Sequence, residues 1–145
     1  MIAGRRSQVP AGIVEKLRAT CLALPEAYEE AAWVGVRWRI RKATFAHVLV
    51  IDQGWPPAYA KAAGAEGPMT VLTFRSTIAE LDPRHYAENP FFRPRWWPDI
   101  VGLKIGAEPD WTEIADLVTA SYRVMAPKTL AALVGPAVGR PGRSR

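Results

Sequence analysis

Cysteine and long apolar runs are scarce in this sequence, and each scarcity removes a class of protein. Cys21 is the only cysteine among 145 residues, which excludes an internal disulfide and agrees with a reducing compartment. We interpret Cys21 as a core residue. No uncharged apolar run reaches the length of about 18 residues that a membrane-spanning helix needs. The first ten residues also lack the apolar stretch of a secretory signal, so we expect a cytoplasmic protein without membrane association.

Catalytic and metal-binding motifs are missing as well. No cysteine and histidine pair has zinc-site spacing, and neither a glycine-rich phosphate loop nor a Gly-x-Ser-x-Gly nucleophile elbow occurs. Glu29 and Glu30 are adjacent in a segment, residues 25–32, that we predict to be a solvated turn, so they do not support acid/base catalysis. We therefore expect no enzyme activity, no cofactor and no metal. A catalytic role would instead require a polar cluster around His47 or Ser121 inside a cleft.

Positive charge exceeds negative charge, but much of the excess lies in the two tails. The net charge is +5 and the sequence pI is about 9.7. Five of the 19 basic residues fall in tails that contain Gly, Pro and Ser, namely Arg5, Arg6, Arg140, Arg143 and Arg145. Subtracting these five leaves 14 basic against 14 acidic residues, so the pI alone is no evidence for nucleic-acid binding. One local basic cluster remains, formed by Arg37, Arg39, Arg41 and Lys42.

Residues 36–51, VRWRIRKATFAHVLVI, predict a β-hairpin with its turn at 42–44. The first half alternates apolar residues with arginines, so the two-residue period of a strand produces a buried face and a basic face. These faces consist of Val36, Trp38 and Ile40 on one side and Arg37, Arg39 and Arg41 on the other. The second half is apolar on both faces, which indicates a central strand or one covered on both sides. We interpret His47 in this strand as a packed core residue, with a ligand or proton shuttle as the alternative.

Periodicity, prolines and caps predict the remaining elements. Helices are expected at 10–24, 77–81, 110–122 and 128–134, strands at 69–74 and 100–105, and one helical turn at 58–63. We predict a single domain at residues 10–135, a flexible lead at 1–9 and a disordered basic tail at 136–145. This order of elements indicates an α+β fold in which helices cover one face of a largely antiparallel sheet.

Two connecting segments, 52–68 and 82–98, concentrate aromatic residues. The second segment places four prolines among five large aromatic side chains and two arginines, Arg93 and Arg95. Rings combined with cationic groups are typical of sites that bind single-stranded nucleic acid. We predict instead that the rings bury themselves over the end of the sheet. The open alternative is a pocket for a small molecule or a protein partner, formed by Trp55, Tyr59, Tyr86, Trp96 and Trp97.

Four segments, CLALPEAYEE, WRIRKATFAHV, WPDIVGLKI and SYRVMAP, resemble the MmcQ/YjbR-like proteins of bacteria. The family tends to read Phe-x-Val-x-Gly-Lys-x-Phe-Ala at its strand-turn-strand, where this chain has WRIRKATFA at 38–46, and Ser121 with Tyr122 is the other shared feature. The resemblance covers residues 13–134. It implies a CyaY-like "double-wing" α+β fold and a DNA-binding role. Iron binding is not implied, because the first helix lacks the acidic residues that frataxin-type proteins use.

The leading functional hypothesis is DNA binding by a monomer through the four basic residues of the hairpin cluster. Alternate residues on a strand are about 6.7 Å apart, which is close to two base-pair rises of about 3.4 Å each. Such arginines could follow a duplex mainly through its phosphate backbone. The alternative is a binding module without catalysis, in which the aromatic loop 86–97 holds a small molecule or a protein partner.

Overall fold

A computed structural model of the protein describes residues 8–135. These residues form six strands: β1 (Tyr28–Ala31), β2 (Val36–Ile40), β3 (Ala43–Ile51), β4 (Met69–Arg75), β5 (Phe91–Phe92) and β6 (Ile100–Ile105). They also form five helices: α1 (Ala11–Cys21), α2 (Pro57–Ala63), α3 (Thr77–Leu81), α4 (Trp111–Met125) and α5 (Lys128–Ala132). The predicted tail at 136–145, and residues 1–7 of the predicted lead, lie outside the described residues.

The strands form one antiparallel sheet in the order β1-β2-β3-β4-β6-β5. The predicted α+β class with an antiparallel sheet is confirmed. β3 lies between β2 and β4, and its last residues are buried without a break, as the continuous apolar pattern indicated.

The main core lies between the sheet and the long helices. α4 packs on β3 and β4, and α1 packs on α4. Trp38 and Ile40 of β2 are fully buried in this core, which confirms the predicted apolar face of the hairpin. Cys21 is also fully buried there. A smaller apolar cluster covers the opposite face of the sheet, where α2 contributes Ala63.

The edge strand β1 was not predicted, and the expectation of a solvated turn at 25–32 is wrong for its residues. Tyr28–Ala31 pairs with β2, which places Glu29 opposite Trp38 and Glu30 opposite Arg37. The sequence YEEA has no apolar alternation from which a strand could be predicted. Its two glutamates point to opposite faces and bond to different partners, so tertiary contacts stabilise this strand.

The hairpin turn lies one residue earlier than predicted. Ile40 pairs with Ala43, so Arg41 and Lys42 form the turn and Arg41 is not part of the strand. Arg41 adopts a left-handed conformation with φ of 57°. The register also shifts between Trp38 and Arg39, a bulge that simple alternation does not anticipate. Arg41 therefore does not continue the basic row of Arg37 and Arg39.

Candidate binding groove

A groove with a volume of about 570 Å³ lies on the sheet beside the hairpin turn. Arg37, His47 and Thr73 are register neighbours on β2, β3 and β4, and they form part of its lining. Basic side chains line it from β2, the turn and the end of β4: Arg37, Arg39, Lys42 and Arg75. Aromatic side chains come from α2 and from the segment before β6: Tyr59, Trp96 and Trp97. We call this the hairpin groove.

Two of the predicted nucleic-acid-binding arginines share one carboxylate, Glu30 on β1. Arg37 Nε donates to Glu30 Oε1 at 2.7 Å, and Arg39 Nη1 donates to the same oxygen at 3.1 Å. These two guanidinium groups lower the pKa of Glu30 below its usual value. Lys42 makes no ion pair with a carboxylate of residues 8–135. The three basic residues with Glu30 therefore form a cationic edge, which we call the basic edge.

Arg41, the fourth residue of the predicted basic cluster, is separate from the groove. Its Nη2 lies 3.1 Å from Glu26 Oε1, and its side chain is 57% exposed. The structure thus brings Arg37, Arg39 and Lys42 together in one groove, whereas the prediction that Arg41 lies on the same strand face is wrong. The reason is the two-residue turn, which reverses the chain at Arg41.

Three of the five rings predicted to form a pocket line the hairpin groove. The Tyr59 and Trp96 rings make an edge contact with centroids 5.1 Å apart. The Arg75 guanidinium lies 4.5 Å from the centroid of the Trp97 ring, a cation–π distance. We call Tyr59, Trp96 and Trp97 the aromatic side.

The other two predicted pocket residues pack elsewhere. Trp55 contacts Trp33 with ring centroids 5.2 Å apart, and Tyr86 contacts Phe91 at 4.7 Å. The five-ring pocket therefore forms only in part, because the long loop carrying Trp55 turns back against the sheet through a bridge between Asp52 and Trp55. Tyr86 also contacts Phe74 of β4, so the predicted packing of rings over the sheet applies to Tyr86.

Arg93 holds the aromatic segment, residues 82–98, in place and does not line the groove. Its three nitrogens donate to five backbone carbonyls, those of Ala79, Pro83, His85, Pro98 and Ile100, at 2.7–3.2 Å. A planar guanidinium with five donors suits such a set of carbonyls from an irregular, proline-rich segment. Arg95, two residues later, is exposed. Arg93 thus shapes the chain that carries Trp96 and Trp97.

His47 lines the groove but is neutral and bonded on both ring nitrogens. Its Nε2 lies 2.7 Å from the Val34 carbonyl, so this nitrogen carries the proton and donates. Nδ1 then accepts from the Tyr59 hydroxyl at 3.4 Å. Burial is the main cause that lowers the pKa of His47, with the charge of Arg37 adding to it. His47 therefore positions Tyr59 and the loop at Val34. It is only partly buried and lines the groove, so it is not the core residue that the sequence predicted.

Ser121 and Tyr122, the second feature of the family resemblance, bond to the backbone inside the core. The Ser121 hydroxyl donates to the Phe45 carbonyl at 2.6 Å and accepts from the Arg75 N–H at 2.8 Å. The Tyr122 hydroxyl donates to the Pro25 carbonyl at 2.6 Å. Both residues tie α4 to other elements. Ser121 also holds the backbone of Arg75, which carries one of the groove's cations.

Sequence reasoning missed Arg75, Trp33 and the counter-charge Glu30. Arg75 ends an apolar strand, where a basic residue gives no distinct signal. Its Nε pairs with Asp99 at 2.9 Å, which holds the guanidinium against Trp97. Trp33 lines the groove and is 77% exposed, which is unusual for so large an apolar side chain. The sequence signal that could have identified Trp33 is the presence of a tryptophan in the short connection between β1 and β2.

Residues 8–135 offer neither a metal-binding cluster nor a membrane-spanning helix. Within residues 8–135, no group of three or more His, Cys, Asp and Glu side chains could hold a metal ion. In the same residues no helix has both the length and the apolar character needed to cross a membrane.

Comparison of the chain with protein-family models, curated proteins and solved structures yields no significant match. The resemblance to MmcQ/YjbR-like proteins therefore stays a prediction based on sequence motifs.

Proposed function

We propose that this protein is a non-catalytic binding module that holds a small organic anion in the hairpin groove. One observation carries the proposal: four cationic side chains line the groove, and none of its lining residues is Asp or Glu. The volume of about 570 Å³ also falls within the range of about 300–1,000 Å³ that small-molecule sites occupy.

The two arginines of the basic edge are held in place before any ligand arrives. Glu30 fixes Arg37 and Arg39, and Arg39 also donates to the Lys42 carbonyl in the turn. Side chains that are already ordered lose less conformational entropy on binding, which favours affinity. A concave site with charge of one sign also concentrates counter-ions.

The polar residues that a catalytic role would need are engaged in structural bonds. His47 is neutral and donates to a backbone carbonyl, and Ser121 is fully buried with both of its hydrogen bonds made to backbone groups. Neither arrangement supplies an activated nucleophile, which requires an adjacent base. Binding without chemistry is therefore the function that we propose.

Opposite charge changes at the basic edge should shift anion affinity in opposite directions. We expect Lys42→Ala to weaken and Glu30→Gln to strengthen the binding of citrate by roughly 5-fold each, because a glutamine amide oxygen still accepts from the two arginines but carries no negative charge. Isothermal titration calorimetry of the full chain at low ionic strength measures both. The control is Lys61→Ala, since Lys61 is exposed on the same helix as Tyr59 but does not line the groove. Equal citrate affinities for wild type, Lys42→Ala and Lys61→Ala would show that the groove is not the site.

Duplex DNA is the second candidate ligand, and the exposed hairpin tip favours it. Arg41 and Lys42 are both exposed at the turn, next to Arg37 and Arg39. Glu26 and Glu30 compensate part of this charge, so fewer phosphates would be neutralised than four basic residues alone suggest.

The salt dependence of duplex binding tests the DNA candidate. If Arg37, Arg39 and Lys42 neutralise three phosphates, the slope of log K against log salt concentration should become shallower by about 2.7 when all three are replaced by alanine. Fluorescence anisotropy with a labelled duplex measures the slope for the full chain and for the triple variant. The basic tails are identical in both proteins, so the difference reports the hairpin alone. An unchanged slope would exclude the hairpin as the DNA contact.

A further inference from the structure

The hairpin groove presents two different chemistries to one ligand, and their arrangement restricts what that ligand is. We propose, building on the anion-binding function above, that the ligand carries a planar ring and a terminal phosphate, as a nucleoside monophosphate does. The phosphate lies at the basic edge and the ring lies on the aromatic side. Three features carry this inference: the residual charge, the exposed ring surface and the distance between them.

The residual charge of the basic edge matches a dianion. Arg37, Arg39 and Lys42 contribute three positive charges, and Glu30 compensates one of them. Two positive charges remain. A phosphate monoester carries about −1.5 to −2 at neutral pH, whereas a carboxylate or a phosphodiester carries a single negative charge. The basic edge therefore favours a terminal phosphate over a monocarboxylate and over the internal phosphates of a nucleic-acid strand.

The aromatic side offers ring surface that the fold leaves uncovered. Trp97 is 50% exposed and Trp96 is 37% exposed, although both belong to a segment tied down by Arg93. Arg75 lies against the Trp97 ring and is itself held by Asp99. A planar ring that stacks on this assembly gains contact with an already ordered surface, the mode by which proteins bind bases without reading their identity.

The separation of the two sides requires a ligand with two ends. Arg37 on β2 and Thr73 on β4 flank His47 on β3 in one cross-strand row. Two strand spacings thus place β4 about 10 Å from the basic edge. The last residue of β4 is Arg75, whose guanidinium lies against the Trp97 ring. An inorganic anion is too short to contact both sides, whereas a nucleoside monophosphate is long enough.

The test is calorimetry of the full chain with four probes at one ionic strength: AMP, adenosine, inorganic phosphate and an adenine decanucleotide without terminal phosphates. We expect AMP to bind at least roughly 10-fold more tightly than each of the other three. Trp97→Ala should weaken AMP binding by roughly 10-fold while leaving phosphate binding unchanged, because it removes only the stacking surface. Lys42→Ala should weaken both AMP and phosphate. Lys61→Ala again serves as the control.

The outcomes separate this inference from the proposed function. If phosphate binds in a Lys42-dependent manner but AMP binds no more tightly, the ring requirement is wrong and the anion site stands. If the decanucleotide binds more tightly than AMP, the proposed requirement for a terminal phosphate is wrong. The ligand is then a single-stranded nucleic acid. If no probe binds in a Lys42-dependent manner, this inference fails, and the citrate titration shows independently whether the anion site stands.

Discussion

Replacing Arg93 with alanine is expected to lower the free energy of unfolding by about 3 kcal/mol, because five backbone carbonyls lose a charged donor at once. These carbonyls belong to one residue of α3, to the first residue of β6 and to three positions of the segment 82–98. Urea denaturation followed by circular dichroism measures the change. For a domain of this size it corresponds to a fall in Tm of roughly 10 °C.

Arg95→Ala is the matched control, since it removes the same charge two residues away from an exposed position. Its effect should stay within about 0.5 kcal/mol of wild type, as is usual for surface substitutions. If Arg93→Ala were as mild as Arg95→Ala, the network of carbonyl bonds would not be what orders this segment. A loss of stability together with red-shifted tryptophan emission would show that the aromatic side of the groove depends on Arg93.

Replacing Gly102 with alanine is expected to cost about 3 kcal/mol, at the upper end of the range for overpacking a core. A Cβ at Gly102 would lie 2.2 Å from Phe92 Cζ, and the Phe92 ring is buried and cannot move away freely. Phe92 belongs to β5, which pairs with β6 and precedes Trp96 and Trp97 in the chain. The substitution should therefore displace β5 and reduce ligand binding in the groove as well as stability.

Gly106→Ala provides the control for this steric argument. A Cβ at Gly106 meets nothing within 4 Å, and Gly106 does not require a positive φ. Its unfolding free energy should match wild type or exceed it slightly, since alanine lowers the entropy of the unfolded chain. Both variants are compared by thermal and chemical denaturation. Equal stability of Gly102→Ala and Gly106→Ala would mean that Phe92 moves aside without cost.

The parts of the fold predicted from the sequence are those with a strong local pattern. The alternation around Trp38 placed the apolar face of β2 correctly, and the apolar run of β3 indicated a covered central strand. The helix expected at 110–122 forms as α4, and the Asp110 side chain caps it by accepting from the Glu113 N–H at 3.0 Å. Each of these features depends on side chains within a few residues of one another, which a linear pattern records.

The parts that failed depend on contacts between distant residues. β1 has no apolar alternation from which it could be predicted. Its two glutamates accept hydrogen bonds only after the sheet forms, Glu29 from Arg18 and Trp38 and Glu30 from the two arginines of the basic edge. The two-residue turn at Arg41 and the bulge before Arg39 changed which arginines share a face. The sequence showed Arg93 only as a cation among aromatic rings, because its five carbonyl partners are 5–14 positions away.

The sequence by itself determined the α+β class, the buried face of the hairpin and the presence of one concentrated basic cluster, because composition and short-range periodicity encode burial. Only the tertiary structure decided that the basic edge and the aromatic side belong to one groove. Residues from β2, α2, β4 and the segment before β6 meet there through strand pairing and packing. The arginines and the rings, which the sequence presented as alternative binding sites, therefore become two sides of the same site.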